Sequence, residues 1–297
     1  MNYYDEIKDK LLKCEIYDRV KDYSKDRNKV NVYYEIGKLL SEAGKEYGKN
    51  IIKQYSVKLM IEVGKKYNER TLRRIRQFYD TFSREKWSMM WTKLTWSHYR
   101  EVLSLKDINE IRYYLNECES KNLTIKQLQL AIKTQEYDRL SCETKNKLIA
   151  QENLKIDDLI PNPIIIKVKD NNEKLTEYAL KQAILNNLDE FLLQLGTGFC
   201  YVGNEFKIKF DNIYNYIDLL LFNYEYNSFV VVELKTTELK KEHIGQIEVY
   251  MNYIDKNLKK IYQEPTIGII ICRKDNKYVI EYCSDKRIIA RKYELVY

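Results

Sequence analysis

The chain has 297 residues, of which 44% are hydrophobic and 32% charged, and a net charge of +7. That composition is globular, with room for one large domain or two ordinary ones, and it contains no run of about 18 apolar residues that would cross a membrane as a helix. Six cysteines without a C-x-x-C pair argue against a zinc ribbon and against a disulfide framework.

The start, MNYYDEIKDKLLK, is charged and lacks an apolar signal core, so a cytoplasmic location is expected. The charge is uneven along the chain. Residues 51–100 hold 12 Lys/Arg against 4 Asp/Glu, whereas residues 141–297 hold 22 against 23. A local basic excess is the electrostatic footprint of a polyanion partner. The 27 tyrosines are too numerous for their count to carry functional weight.

Up to about residue 135 the apolar spacing is helical. IIKQYSVKLMIEVGKKY places Ile52, Tyr55, Leu59 and Val63 near one stripe. Asn68 suits the N-cap of the next helix, ERTLRRIRQFYDTF. That helix turns Leu72, Ile75, Phe78, Tyr79 and Phe82 toward a core and Arg70, Arg73, Arg74 and Gln77 away from it. Joined through Gly64 and Asn68, the two helices suggest a helix-turn-helix unit, whose second helix enters the major groove. Arg70, Arg73, Arg74 and Arg76 are therefore candidate phosphate contacts, and duplex DNA is the expected partner. An arginine-rich face can equally be a solvated one. WSHYREVLSL, KDINEIRYYLNECE and TIKQLQLAIKTQ read as three further helices, with His98 as a packing or hydrogen-bonding residue.

A polar stretch follows that holds Pro161 and Pro163, two of only three prolines. The expected division is a helical domain over 1–140, a linker over 141–165 and a second domain over 166–297. In the second domain LTEYALKQAILNNLDEFLLQLG reads as one amphipathic helix ended by Gly196. GFCYV, FKIKF, YNYIDLLLF and FVVVELK read as strands, HIGQIEVYMNYIDKNLKKIY as a helix, and TIGIIIC and KYVIEYC as strands again. That order implies a mixed sheet covered by helices.

Two of the strands carry charge where hydrophobic runs are expected. If YNYIDLLLF and FVVVELK form a hairpin with its loop around Asn223 to Ser228, Asp218 stands opposite Glu233, and Lys235 shares their face. Opposed side chains have Cβ atoms about 4.5–5.5 Å apart, and a register slip of one residue would separate them. Two carboxylates so placed repel, and a hard divalent cation, Mg²⁺ or Mn²⁺, resolves the repulsion. Such an ion lowers the pKa of a bound water and polarises a phosphoryl oxygen, and the Lys235 ammonium can offset charge developing on phosphate. This is apparatus for phosphodiester hydrolysis. E-x-K by itself is weak: it recurs at Glu6, Glu119, Glu143, Glu205 and Glu238. An Asp218–Lys235 ion pair without catalysis is the plain alternative.

With these residues in hand the chain resembles the PD-(D/E)XK nuclease superfamily, through Asp218 and the Glu233-x-Lys235 pair. Gln246 and Tyr250 in GQIEVYMNY are similar to the Q-x-x-x-Y element of its RecB-like branch. TLRRIRQFY, WSHY, EFLLQLGTGFCYVG and the two strands resemble the YhcG-like bacterial family over about residues 30–285. The resemblance implies an N-terminal, mostly helical, winged-helix-like DNA-binding domain and a C-terminal α/β restriction-endonuclease-like domain with a mixed sheet flanked by helices. It also implies a site in which Asp218, Glu233 and the Leu234 carbonyl hold Mg²⁺ or Mn²⁺, Lys235 assists the attacking water, and Gln246 and Tyr250 support the site. Related nucleases carry an acid in the first core helix; Lys181 falls there in this chain, and Glu177, one turn earlier, is the candidate substitute ligand. The expected function is thus a metal-dependent nuclease, with a catalytically inactive DNA-binding protein of the same fold as first rival. A homodimer scaffold built through the helical half is the second.

Overall fold

The chain divides into two units, Met1–Ile132 and Lys133–Tyr297. The computed structural model describes residues 2–19, 25–48, 50–83, 94–168, 176–210 and 213–296.

Among the described residues of the first unit every regular element is a helix: α1 (Tyr3–Arg19), α2 (Lys25–Tyr47), α3 (Ile51–Glu62), α4 (Glu69–Phe82), α5 (Trp96–Val102), α6 (Ile108–Ser120) and α7 (Ile125–Lys133). Asn68 caps α4 as its sequence suggests, its side chain accepting the Thr71 N–H at 3.1 Å. Leu72, Ile75, Phe78 and Phe82 are buried on one side of α4. Leu72 and Ile75 join Ile7, Leu11, Ile36, Leu40, Ile52 and Leu59 in one core. Phe78 packs edge-on against Trp96 and Tyr99, which fixes α5 beside α4. His98 is buried there, one ring nitrogen on Thr95 and the other 3.1 Å from the Leu123 carbonyl.

Helices α2 and α4 approach most closely at Gly37 of α2. A Cβ there would lie 2.5 Å from the Ile75 carbonyl oxygen and 2.6 Å from the Tyr79 Cβ. Mid-helix glycine costs up to about 1 kcal/mol of propensity, and here the missing side chain is what lets α2 and α4 touch. Gly37→Ala should therefore destabilise the unit by about 1–3 kcal/mol through overpacking, despite its better helix propensity. Thermal melting decides this, and an unchanged or raised midpoint would show that the two helices separate without cost.

The second unit is a six-stranded mixed sheet in the order β1-β6-β5-β4-β3-β2. Its elements are α8 (Cys142–Ala150), α9 (Ile156–Leu159), β1 (Ile164–Lys167), α10 (Glu177–Asn186), α11 (Leu188–Leu195), β2 (Phe199–Phe210), β3 (Ile213–Asn223), β4 (Ser228–Glu238), α12 (Lys241–Asn257), β5 (Glu264–Lys274), α13 (Lys277–Glu281) and β6 (Ile288–Val296). Strands β2, β3 and β4 run antiparallel, while β4, β5, β6 and β1 run parallel. One face of the sheet packs under α10 and α11 through Leu180, Ile184, Phe191 and Leu195. The other packs under α12 through Ile247, Met251 and Ile254.

Four sequence expectations differ from this picture. The stretch 141–165, expected as a linker, carries α8, α9 and the start of β1, and lies inside the second unit. Ile156, Ile160 and Ile164 enter its core. Its polar side chains are anchors rather than solvated spacers: Arg291 bonds Asp157 at 2.7 Å and the Ile160 carbonyl at 2.9 Å, and Tyr226 donates to the Leu154 carbonyl. The helix expected over 175–196 is interrupted at Asn187, which leaves helical geometry (φ −129°, ψ 39°) and turns its amide to the Ala183 carbonyl. Asparagine competes with the helix through such local bonds. KYVIEYC, expected as a strand, begins with α13 instead, because Asn276 caps it and β6 already holds the edge of β5 that a further strand would need. GFCYV and FKIKF are two parts of the single strand β2, with an irregularity between Tyr201 and Gly203.

Candidate active site

The β3–β4 hairpin has the register that places Asp218 against Glu233: Leu219 pairs Val232, Leu220 pairs Val231, and Asn223 pairs Ser228 around the turn. Beyond Leu219 and Val232 the ladder stops, and side chains replace it. The Leu234 N–H donates to Asp218 Oδ2 at 3.0 Å, and the Asp218 N–H points to Glu233 Oε1 at 3.5 Å. A carboxylate takes the backbone donor of the partner strand, so the strands part and both acids stand at the opening.

Their surroundings differ. Glu233 is 2% exposed. Burial, then the charge of Asp218, pushes its carboxyl up to about 7, with Lys235 pulling the other way. Lys235 Nζ lies 3.2 Å from Glu233 Oε2 and 4.0 Å from Glu177 Oε2. Burial works against its ammonium, but Glu233 and Glu177 outweigh it, and its pKa lies above the ordinary lysine value. Lys235 therefore carries its proton at neutral pH and can act as a cation and donor, not as a base. On α12, Gln246 donates to the Tyr250 hydroxyl at 2.9 Å, and Tyr250 is 5% exposed. Its hydroxyl is near enough to feel the charges of Glu233, Lys235 and Asp218. His243, one turn before Gln246, feels Lys235 as well; burial followed by that charge lowers its pKa.

Lys181 is legible in the sequence only as a departure from the nuclease pattern. It is buried in α10, with Nζ 2.9 Å from Glu205 Oε1 and 3.3 Å from Asp218 Oδ1. The ammonium thus bridges Asp218 to an acid on β2. Glu205 stands out in the sequence only as one of the chance E-x-K matches. Its positive φ of 47° marks a local kink in β2 at the point where it meets Lys181. Glu177 opens α10 at the rim, with its side chain 45% exposed, near Lys235 rather than Asp218.

The donor set suits a small hard cation of low protein coordination. Two carboxylates and a main-chain carbonyl candidate at Leu234 match the way Mg²⁺ is held by one or two carboxylates plus water and substrate phosphate. Among the described residues no cluster of three or more acidic, histidine or cysteine side chains is poised to hold an ion. Lys181 adds one positive charge beside Asp218.

In the first unit, Arg70 and Arg73 are exposed on the outer side of α4, Arg74 is half-buried, and the half-buried Arg76 reaches back to α2 beside Gly44. Arg73 is tied to Glu69 at 2.6 Å, and Arg76 lies 3.9 Å from Asp80. Gln77, expected on the same face, donates to the Leu103 carbonyl. A cleft lined by Arg139, Lys147, Asp158 and Arg291 includes none of the site residues; Lys147 pairs Asp158 and Arg291 pairs Asp157 there.

Residues 157–296 match the YhcG PDDEXK nuclease domain, and residues 19–139 match the DUF1016 N-terminal domain. The Escherichia coli (strain K12) protein called "Putative nuclease YhcG" is 24% identical over 308 residues, covering 89% of this chain and 82% of that protein. Two solved structures share 16% identity: a repair endonuclease from Pyrococcus abyssi (TM-score 0.30, 42% of this chain) and the EndoMS-dsDNA2 complex (TM-score 0.27, 43% of this chain). The chain spans about half the length of each, 50% and 48%. No helix of the described residues is long and apolar enough to cross a membrane.

Proposed function

We propose that this chain, whose two parts match the DUF1016 N-terminal domain and the YhcG PDDEXK nuclease domain, hydrolyses phosphodiester bonds of DNA with Mg²⁺ or Mn²⁺, in the cytoplasm. The observation that carries the reading is the parting of β3 and β4 at Asp218, where the Leu234 N–H meets the carboxylate and Glu233 lies alongside. Asp218, Glu233 and the Leu234 carbonyl would hold the ion. When bound, it supplies a more acidic water and a polarised phosphoryl oxygen. The remaining work falls to this chain's own groups. Lys235 keeps its proton, donates toward the scissile phosphate or the attacking water, and offsets charge gathering on the phosphoryl oxygens. Glu177 holds Lys235 from the rim. Gln246 fixes the Tyr250 hydroxyl at the wall of the site. Single-turnover cleavage of duplex DNA, with Mn²⁺ and with EDTA, tests this; cleavage that is indifferent to EDTA would remove the ion from the reaction.

One observation favours a second reading, a DNA-binding protein that no longer cleaves. Lys181 already pairs Asp218 Oδ1 at 3.3 Å, and a cation must compete with that ammonium. Absence of both cleavage and Mn²⁺ binding by the purified wild type would select it.

Under either reading the helical unit binds duplex DNA through the outer side of α4. Replacing Arg70, Arg73 and Arg74 together by Ala should weaken binding without regard to sequence. The plot of log affinity against log salt should flatten by about 0.9 for each phosphate that is no longer neutralised. Affinity and slope that both survive would take this face out of the interface.

A further inference from the structure

The β2–β3 hairpin runs past the rest of the sheet. Strand β3 pairs β4 only over 219–223, while it pairs β2 down to Ile213. Over 213–217 it is therefore a two-stranded ribbon. One side of that ribbon is built in: Ile208 and Ile217 are fully buried in the core under α12, and Phe210 packs edge-on against Tyr253. The other side is open. Lys207 faces Tyr216 across the ladder and Lys209 faces Tyr214. Tyr214 is 50% exposed and Tyr216 53%. Continued by two residues, the register of those rows reaches Glu205 and Asp218, and Lys181 holds both of these acids. The open row of tyrosines thus leads directly to the first acid of the candidate site.

We propose that this row is a platform for a single strand of nucleic acid, with bases on Tyr214 and Tyr216, phosphates on Lys207 and Lys209, and the strand running on to Asp218. The inference rests on the nuclease reading and adds the form of the substrate at the site. Aromatic rings that stack bases, set beside lysines that track the backbone, are the two components of sequence-tolerant single-strand binding. The spacing selects an unstacked strand. Side chains two residues apart on one strand stand about 6.8 Å apart, roughly twice the 3.4 Å rise of a stacked duplex strand. Bases that use both tyrosines must be unstacked from one another, which a duplex resists and a single strand allows. Lysines on an edge strand also discourage strand addition, and that role accounts for Lys207 and Lys209 alone. The lysines also cover Tyr214, but neither role accounts for the half-exposed Tyr216 beside it. Lys207 Nζ rests 3.8 Å from the centre of the Tyr214 ring, so the ammonium and a base exchange on that face, with the ammonium moving to phosphate.

The test measures binding of the full chain to a fluorescent oligothymidylate 20-mer and to a 20-base-pair duplex, in EDTA. The platform predicts that Tyr214→Ala/Tyr216→Ala weakens single-strand binding by tenfold or more and leaves duplex affinity within about twofold. Tyr216→Phe, which keeps the ring, should bind as the wild type does, and Tyr216→Trp at least as tightly. Lys207→Gln/Lys209→Gln should lower the salt slope for the single strand by about 0.7 per phosphate. Photocrosslinking of a bromodeoxyuridine-substituted strand should label the peptide holding Tyr214 and Tyr216. Single-strand affinity untouched by the double alanine variant, with duplex cleavage by the wild type intact, overturns the platform while the nuclease reading stands. A wild type that neither binds nor cleaves any nucleic acid overturns both.

Discussion

Asp218→Asn and Glu233→Gln should each lower Mn²⁺-dependent cleavage by about a hundredfold to a thousandfold or more, the scale of losing a preorganised charge at a reacting centre. Glu177→Gln should keep most of the rate. The expected split follows from position. Asp218 and Glu233 lie where β3 and β4 part, tied to each other through the Asp218 N–H. Glu177 is at the rim, 4.0 Å from Lys235, and acts on the cation only through that ammonium. Lys181 sharpens the test. Its ammonium shares Asp218 with the incoming ion, so Lys181→Glu should tighten Mn²⁺ binding measured by calorimetry, whatever it does to the rate. At an effective dielectric of about 20, two unit charges 4 Å apart interact by about 4 kcal/mol, so the shift in affinity is readily seen even when solvent screens most of it. Loss of activity in Glu177→Gln as complete as in Asp218→Asn would make the rim acid a ligand in its own right. Mn²⁺ affinity unchanged by Lys181→Glu would show that the ammonium does not face the ion.

Glu233→Gln also changes stability, in the opposite sense from activity. The Glu233 carboxyl titrates near 7 in the folded chain against 4.5 ordinarily, chiefly because it is buried. Below the unfolded value both states hold the proton and the group is neutral to stability. As pH rises from there toward 7, the unfolded chain ionises first and folding loses free energy; above 7 the loss is complete. A gap of that size corresponds to about 3 kcal/mol. Glutamine does not titrate, so in EDTA the variant's stability relative to wild type should climb between pH 5 and pH 8 by up to that amount. Lys235 keeps its charge over the same range, so losing its partner shifts the comparison by a nearly constant amount. Urea melts of both proteins at the two pH values report chiefly on this group, because titrations away from the site are common to them. Parallel profiles would mean that Glu233 ionises in the folded domain as freely as in the unfolded chain. The expected pairing of lost cleavage with gained stability is that of a site whose charges are arranged for a ligand and not for the resting fold.

Several features are legible in the residues because their cause is local. The cap at Asn68 needs only a side-chain oxygen three residues before an N–H. The apolar stripe of α4 is a matter of period. The register of β3 on β4 is less legible, because Leu219–Leu221 and Val230–Val232 are buried on both faces and a slip by one would still bury apolar side chains; a hairpin with a four-residue loop is the assumption that sets it. That register is enough to bring Asp218, Glu233 and Lys235 together, and Gln246 and Tyr250 follow from one turn of helix.

What the sequence leaves open lies between elements far apart in the chain. Residues 141–165 look like a linker because their polar groups have no visible partners, and those partners come from far along the chain: Arg291 of β6 for Asp157, and Tyr226 of the β3–β4 turn for the Leu154 carbonyl. Asn187 and Asn276 break and start helices by local side-chain bonds that compete evenly with propensity, so neighbouring packing decides them. Lys181 reads in sequence as a missing acid; only the kink of β2 at Glu205 makes it a bridge between two carboxylates. The exposed tyrosines of the β2–β3 ribbon are two among 27 until the sheet shows that one side of the ribbon is buried and the other open. Period and capping act over neighbouring residues, so the sequence alone determined most of the elements, and it paired the two acids once the hairpin register was assumed. The charges that surround those acids, and the surface that leads to them, are set by long-range interactions, whose energies depend on distances that only the tertiary structure supplies.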